Sequence, residues 1–316
     1  MKNKALRGLI SIMLWIIALI VVCAYGLLSQ IEWGSPLAAT LILEVRLPRI
    51  LLALLSGMGL TLAGQMFQII LNNPLADSFT LGLANGATVG AACAVLLGLS
   101  FSWIAPFAMI MGMVSLFIVI AVAYFITRGY PTRSLILAGI LIGSLLNAIL
   151  FLMVQFNPTK LRNIVAYMFG GFSASEYREV TYVSIVLALT LGAILICLPK
   201  IKLLQMNTLS SAALGLHVER LSIVVLLLAT AISTVIIGFV GVIGFIGMVI
   251  PQFVQRISQQ SLTIKLLLNL VIGGTVMVLA DVLGAQLLAP IQIPASIVLA
   301  IIGIPLMFYL MIVERR

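Results

Sequence analysis

The stretch Arg46-Leu47-Pro48-Arg49, followed after one apolar run by Asn73-Pro74-Leu75-Ala76-Asp77, decides how this chain is read. The run between the two marks is long enough to cross a bilayer, which takes about 20 residues. The first mark carries two guanidiniums and a proline and opens the helix. The second closes it, because the residue before a proline is pushed out of the α region. A membrane helix is therefore framed by a charged segment at one face and a rigid polar turn at the other.

Composition extends this reading to the whole chain. It is 63% hydrophobic and 8% charged over 316 residues, whereas soluble domains carry about 25% charge. The apolar runs are continuous and do not alternate, which excludes a β-barrel and leaves an all-α polytopic membrane protein. The net charge of +9 is read as basic anchoring of loops, with no nucleic-acid partner. Cys23, Cys93 and Cys197 lie in apolar runs with no spacing for a disulfide or a metal, and the single histidine, His217, excludes a multi-histidine centre. Residues 9–29 are read as a retained first helix and not as a cleaved signal.

Charges punctuate the runs, and the runs count the helices. One helix falls between Arg7 and Glu32, a second from Ile50 to Ala76, two between Asp77 and Arg128, a fifth from Arg133 to Lys160 and a sixth from Glu179 to Lys200. The run from Arg220 to Arg256 is too long for one crossing. It contains Gly238, Gly241, Gly244 and Gly247, and is read as a full helix, a glycine-rich turn and a short helix ending at Pro251-Gln252. Lys265 to Glu314, with Pro290 and Pro294 as its turn, supplies two more, for ten in a single transmembrane domain spanning 1–316. An even count puts both termini on one side. With that side inside, twelve basic residues face in (Lys2, Lys4, Arg7, Arg128, Arg133, Lys200, Lys202, Arg220, Arg256, Lys265, Arg315, Arg316) and five face out (Arg46, Arg49, Lys160, Arg162, Arg178). The positive-inside rule then predicts cytoplasmic termini in a plasma membrane, Arg46 and Arg49 outside, and Asn73 to Asp77 inside.

No phosphate-binding loop of the Gly-x-x-x-x-Gly-Lys-Ser/Thr type occurs, nor Gly-x-Ser-x-Gly or His-Glu-x-x-His. Of eight acids only Asp281 sits deep in an apolar run. Proton-driven transporters need more intramembrane ionisable groups, so the energy source is expected on another polypeptide. No catalytic constellation is present, which argues against an intramembrane enzyme. Asp281 is expected to face protein and to make a structural hydrogen bond to backbone.

Four patches carry a family resemblance. They are Arg46-Leu-Pro-Arg49 with residues 55–64 (Leu-Ser-Gly-Met-Gly-Leu-Thr-Leu-Ala-Gly); Asn73 to Asp77 with residues 81–87 (Leu-Gly-Leu-Ala-Asn-Gly-Ala); Ala213-Leu-Gly-Leu216; and residues 244–251 (Gly-Phe-Ile-Gly-Met-Val-Ile-Pro). In this order and spacing they resemble the FecCD, or BtuC-like, permease subunits of type II bacterial ABC importers for iron chelates, haem and vitamin B12. The resemblance implies ten helices per subunit and a dimer with a second permease copy or close paralogue. It implies a cytoplasmic ABC ATPase pair that holds the ATP and Mg, and an extracellular or periplasmic substrate-binding protein. No cofactor and no metal are expected in this chain. The cargo it implies is a siderophore–iron complex or haem, with cobalamin as the alternative; an ion-coupled secondary transporter is the rival from another class.

The resemblance also implies roles for individual residues. Arg46 and Arg49 would dock the binding protein, while the plainer reading of their chemistry is anchoring at the membrane interface. A third docking arginine of the family has no counterpart here, where Gly284-Ala285-Gln286 stands. Asn73 and Leu75, with Thr132 and Arg133, would form a cytoplasmic gate that an apolar constriction can close by dewetting. Ser211, Ala212, Ala213, Leu214, Gly215 and Leu216 would couple to the ATPase. Gly244, Gly247 and Pro251 would form a helix-packing turn, with Gln252 where the family has histidine. Residues 163–173, aromatic and glycine-rich, are read as lining the outer mouth.

Overall fold

The computed structural model describes residues 2–29, 31, 36–126, 132–205, 215–289 and 291–314. Those residues contain eleven helices of nine residues or more and no strand. They are α1 (Lys2–Leu28), α2 (Ala38–Leu71), α3 (Leu83–Leu96), α4 (Ile104–Ile126), α5 (Thr132–Phe156), α6 (Leu161–Phe169), α7 (Tyr177–Leu204), α8 (Val218–Val240), α9 (Ile246–Ile257), α10 (Leu262–Gln286) and α11 (Ala295–Glu314). Each of the ten expected helices has a counterpart, and α6 is added. Seven of them are long and apolar enough to cross a membrane, so the chain is a multi-pass membrane protein. The 14-residue α3 rises only about 21 Å, short of a hydrocarbon core of about 30 Å.

Helix α2 is the axis of the fold. It packs on α7, α8, α9 and α10, and most residues from Pro48 to Leu71 are buried. Around this group α3, α4 and α5 pack on one another, α4 joins them to α8, α1 lies along α10, and α11 covers α9 and α10. The outer helices turn apolar side chains outward, such as Leu14 and Ile17 of α1, Leu141 and Phe156 of α5, and Leu189 and Ile196 of α7. In a bilayer such faces meet lipid tails or another chain without penalty, because tails are as apolar as leucine.

Two expected boundaries are corrected, both at prolines. Helix α2 does not open at Arg46 to Arg49; it begins at Ala38 and runs through them. Residues Leu41–Arg46 form a π-helical turn, in which the Leu47 N–H donates to the Ile42 carbonyl five residues back. The wider turn makes room for the Pro48 ring, which would clash with a carbonyl in an ordinary α-helix. The Leu43 carbonyl, to which residue 48 would donate in that register, takes the Tyr177 hydroxyl instead. Likewise α9 does not end at Pro251-Gln252 but continues to Ile257. Pro251 cannot donate to the Gly247 carbonyl, and Gln68 Nε2 of α2 lies 3.4 Å from that oxygen and 3.0 Å from the Met248 carbonyl. In both places a side chain from a neighbouring helix replaces a missing backbone donor, as the dry interior demands.

Glycines let the axis be gripped closely. A Cβ added at Gly64 would fall 1.8 Å from the Gly247 carbonyl oxygen, and one at Gly57 would fall 2.3 Å from that of Gly273. Thus α9 and α10 both ride backbone-to-backbone on α2.

Candidate functional site

Three places gather polar side chains from different helices. The first is the rim at the Ala38 end of α2. Arg49 grips Asp281 of α10 with two parallel bonds, Nε to Oδ2 at 2.7 Å and Nη2 to Oδ1 at 2.9 Å. The pair is largely enclosed, the arginine side chain 18% and the aspartate 7% exposed. Asp281 therefore satisfies itself on a guanidinium, not on backbone as the sequence suggested. The planar fork of arginine matches a carboxylate in a way no backbone group can. Arg46, one turn earlier, donates through Nη1 to the carbonyls of Leu27 at 3.0 Å and of Ser29 at the end of α1. Those carbonyls have no partner within their own helix, and a cation suits the negative end of the helix dipole. Gln286, in the stretch where the family's third arginine was missed, takes the Tyr25 hydroxyl on Oε1 and donates to Ser29 Oγ, each at 2.8 Å. The rim thus ties α1, α2 and α10 together.

The second place is the turn after α2. Asn72 closes the helix in the left-handed conformation (φ 45°), which asparagine tolerates better than most residues. Asn73 Oδ1 accepts the Leu75 N–H at 3.0 Å, and Leu75 is 37% exposed. Beyond it the chain dives into protein. Asp77 is buried, and its Oδ1 accepts the N–H groups of Phe79 and Thr80 at 3.0 and 2.9 Å. Thr80 Oγ1 accepts the Asp77 N–H at 2.9 Å and donates to the Asp77 carbonyl at 2.8 Å. Burial pushes the Asp77 carboxyl above its ordinary pKa, and the hydrogen bonds from Thr80 and Phe79 pull the other way. This non-helical backbone can be buried because its polar groups are paired. Helix α5 packs here: a Cβ at Gly139 would lie 2.3 Å from the Thr80 carbonyl oxygen. Thr132 and Arg133 form the first turn of that helix, and Arg133 is exposed. Ser211, Ala212, Ala213 and Leu214 lie outside the described residues. Gly215 adopts φ +78°, and Leu216 follows it and leads into α8.

The third place is a pair of cavities. One, of about 480 Å³, is walled by α6 and the chain after it, including Asn163, Tyr167, Gly170 and Ser173, together with Lys160 and Glu179. Residues 163–173 do line a cavity, but Tyr167 spends its hydroxyl on the Ile237 carbonyl at 2.6 Å. The other, of about 350 Å³, lies beside the Asn72 to Pro74 turn among the ends of α2, α7 and α9 and the start of α10. On its wall Gln252 Nε2 donates to Gln68 Oε1 at 2.7 Å, and Lys265 Nζ donates to Gln255 Oε1 at 3.0 Å. Gly247 packs on α2 as described, Gly244 faces the Phe79 ring, and Pro251 lines this second cavity. Sequence reasoning missed the second cavity. The clustering of Gln65, Gln68, Asn72, Asn73, Gln252 and Gln255 at helix ends was the available signal.

Comparison with known proteins places this architecture. The Fe(3+)-citrate import system permease protein YfmE of Bacillus subtilis is 28% identical over 328 residues, covering 99% of this chain and 98% of that protein. IsdF of Staphylococcus aureus, described as a haem-iron transport system permease, is 28% identical over 290 residues, covering 92% and 88%. A solved structure of a transporter assigned to the metal-chelate ABC type, in an inward-facing conformation, superposes with a TM-score of 0.86 at 25% identity, over 96% of this chain and 99% of that one. The structure of PsaBC from Streptococcus pneumoniae in complex with Fab shares the fold, with a TM-score of 0.62 at 16% identity over 83% of this chain and 89% of that one. The model of the FecCD transport family matches residues 8–313. With its multi-pass helical fold, this chain is a transport permease, not itself an enzyme, and belongs to the FecCD transport family.

Proposed function

We propose that this chain is the membrane-spanning subunit of an ATP-driven importer that carries an iron complex, siderophore-bound or haem, into the cytoplasm by alternating access. The observation that carries the proposal is end-to-end likeness of fold and sequence to permeases named for ferric citrate and haem iron and to a metal-chelate transporter. Both termini are cytoplasmic in this reading, the Arg46 rim faces outward and the Asn73 turn inward. Two permease chains pair around the pathway, and a cytoplasmic ABC ATPase pair supplies ATP and Mg chemistry. The segment from Ser211 to Leu216 transmits its motion. Leu75, Asn73, Thr132 and Arg133 guard the inner exit.

A substrate-binding protein docks on the rim. Arg46 and Arg49 lend it positive potential, which steers an acidic partner more than it adds affinity. Asp281 neutralises Arg49, whereas Arg46 is held by the neutral carbonyls of Leu27 and Ser29, so Arg46 keeps its charge for that steering. Reconstitution in liposomes with the ATPase and the binding protein tests the proposal. ATP-dependent uptake of ferric citrate, ferric siderophore or haem is expected, and uptake by this chain without the ATPase would overturn it. In the same system Arg46→Glu is expected to weaken binding-protein docking while the ATPase still assembles. Unchanged docking would remove Arg46 from that role.

A further inference from the structure

The cavity beside the Asn72 to Pro74 turn has a chemistry that passage of a chelate does not explain. Gln65, Gln205, Gln255 and Asn269 bring amides to its wall, Lys265 brings an ammonium, and no carboxylate is among its described lining residues. A cation would meet Lys265. An apolar guest would strand the amides without partners, which is costly. An oxyanion accepts hydrogen bonds from the ammonium and from amide NH₂ groups together, and charge-assisted bonds of this kind are the strong ones. Two wall residues also ask for a donor. Gln65 is 6% and Asn269 1% exposed, and Gln65 Oε1 and Asn269 Oδ1 are buried with no hydrogen-bond partner among the described residues. Such groups are rare in folded proteins. A small rotation of either amide would offer its oxygen to a hydroxyl of the guest.

Depth narrows the choice further. The cavity lies where the membrane-spanning helices α2 and α7 end and α10 begins, and the ends of such helices come out near the headgroups. We propose that this cavity is a binding site for a phosphate that carries hydroxyl groups, either the phosphoglycerol headgroup of a bilayer lipid or free inorganic phosphate. The phosphate oxygens take hydrogen bonds from Lys265 and the amides, and the hydroxyls serve Gln65 and Asn269. A guest so held joins the turn after α2 to the end of α7, from which the chain leaves toward Ser211. The fold alone defines the site; the proposed function only assigns it to the cytoplasmic leaflet.

The test uses the full chain in nanodiscs of phosphatidylcholine alone or mixed with phosphatidylglycerol, with lipid retained on the released protein read by native mass spectrometry. Phosphatidylglycerol is expected to be retained in preference to phosphatidylcholine. Lys265→Gln should lower that retention about tenfold, the loss of one charge-assisted hydrogen bond, and Lys265→Arg should preserve it. Should Lys265→Gln fail to fold, Asn72→Gly, which keeps the left-handed backbone and removes one amide, is expected to lower retention about threefold. Inorganic phosphate added as competitor separates the sources: displacement of the lipid shows that the site also takes the free ion, and no displacement shows that it takes the headgroup alone. Equal retention of both lipids, unchanged by the variants and by added inorganic phosphate, would overturn the proposal. Because no step reads transport, failure here leaves the importer assignment standing.

Discussion

Arg49 and Asp281 are 232 residues apart in sequence and share two hydrogen bonds. Removing one partner leaves an uncompensated buried charge, so Arg49→Ala is expected to cost about 3 kcal/mol, whereas Arg49→Met with Asp281→Leu should recover most of that loss. Thermal unfolding in detergent measures both. Asp77 gives a second prediction with a defined sign. Its carboxyl holds its proton more tightly when folded than when unfolded. As pH rises past its ordinary value of 3.8, the unfolded chain loses the proton first. Stability is therefore fullest below that value and declines above it, until the folded group has also ionised. Asp77→Asn keeps an acceptor for the Phe79 and Thr80 N–H groups and is expected to remove that decline; Asp77→Ala removes the acceptor and should destabilise at every pH by about 1–2 kcal/mol. Melting curves across the acid range decide this. In the sequence Asp281 stood out as the one acid deep in an apolar run, whereas Asp77 was read only as the end of the polar turn. That a lone acid in an apolar run needs a partner was legible, but which of seventeen basic residues supplied it was not, since only the packing of α10 on α2 brings them together.

At the scale of elements, the charge punctuation located ten helices, because a charge inside the hydrocarbon is costly and a span has a fixed length. Boundaries at Pro48 and Pro251 went astray for one reason. Proline was read as an end, and tertiary contacts from Tyr177 and Gln68 let the helix carry on. The 9-residue α6 was read as loop, since it is too short to show a crossing and its glycines follow it. Close packing of α9 on α2 makes a sharp prediction. Gly64→Ala is expected to destabilise by about 1–3 kcal/mol, because the added carbon meets the Gly247 backbone and not a side chain that could swing away. Gly192 in α7 has nothing within 4 Å of an added Cβ, so Gly192→Ala should be neutral or stabilising by up to about 1 kcal/mol. The contrast between the two variants in one unfolding assay checks the argument.

At the scale of the whole molecule, α2 spans the distance between two of the places that carry a proposed role. Arg46 and Arg49 stand near one end, and the Asn73 turn closes the other. From Arg49 to Asn72 the helix rises about 35 Å. Burial of its flanks by α7, α8, α9 and α10 leaves it few independent motions. It behaves as a strut clasped along its length, so a tilt that lowers one tip must swing the opposite one. The π-helical turn at Leu41–Arg46 is where its backbone departs from regular pitch; it buries no residue and is held by the Tyr177 hydroxyl and through Arg46 by the end of α1. A push on the Ala38 end can unwind there before it reaches the shaft. Once past that turn, it has nowhere to dissipate short of the far side of the bilayer.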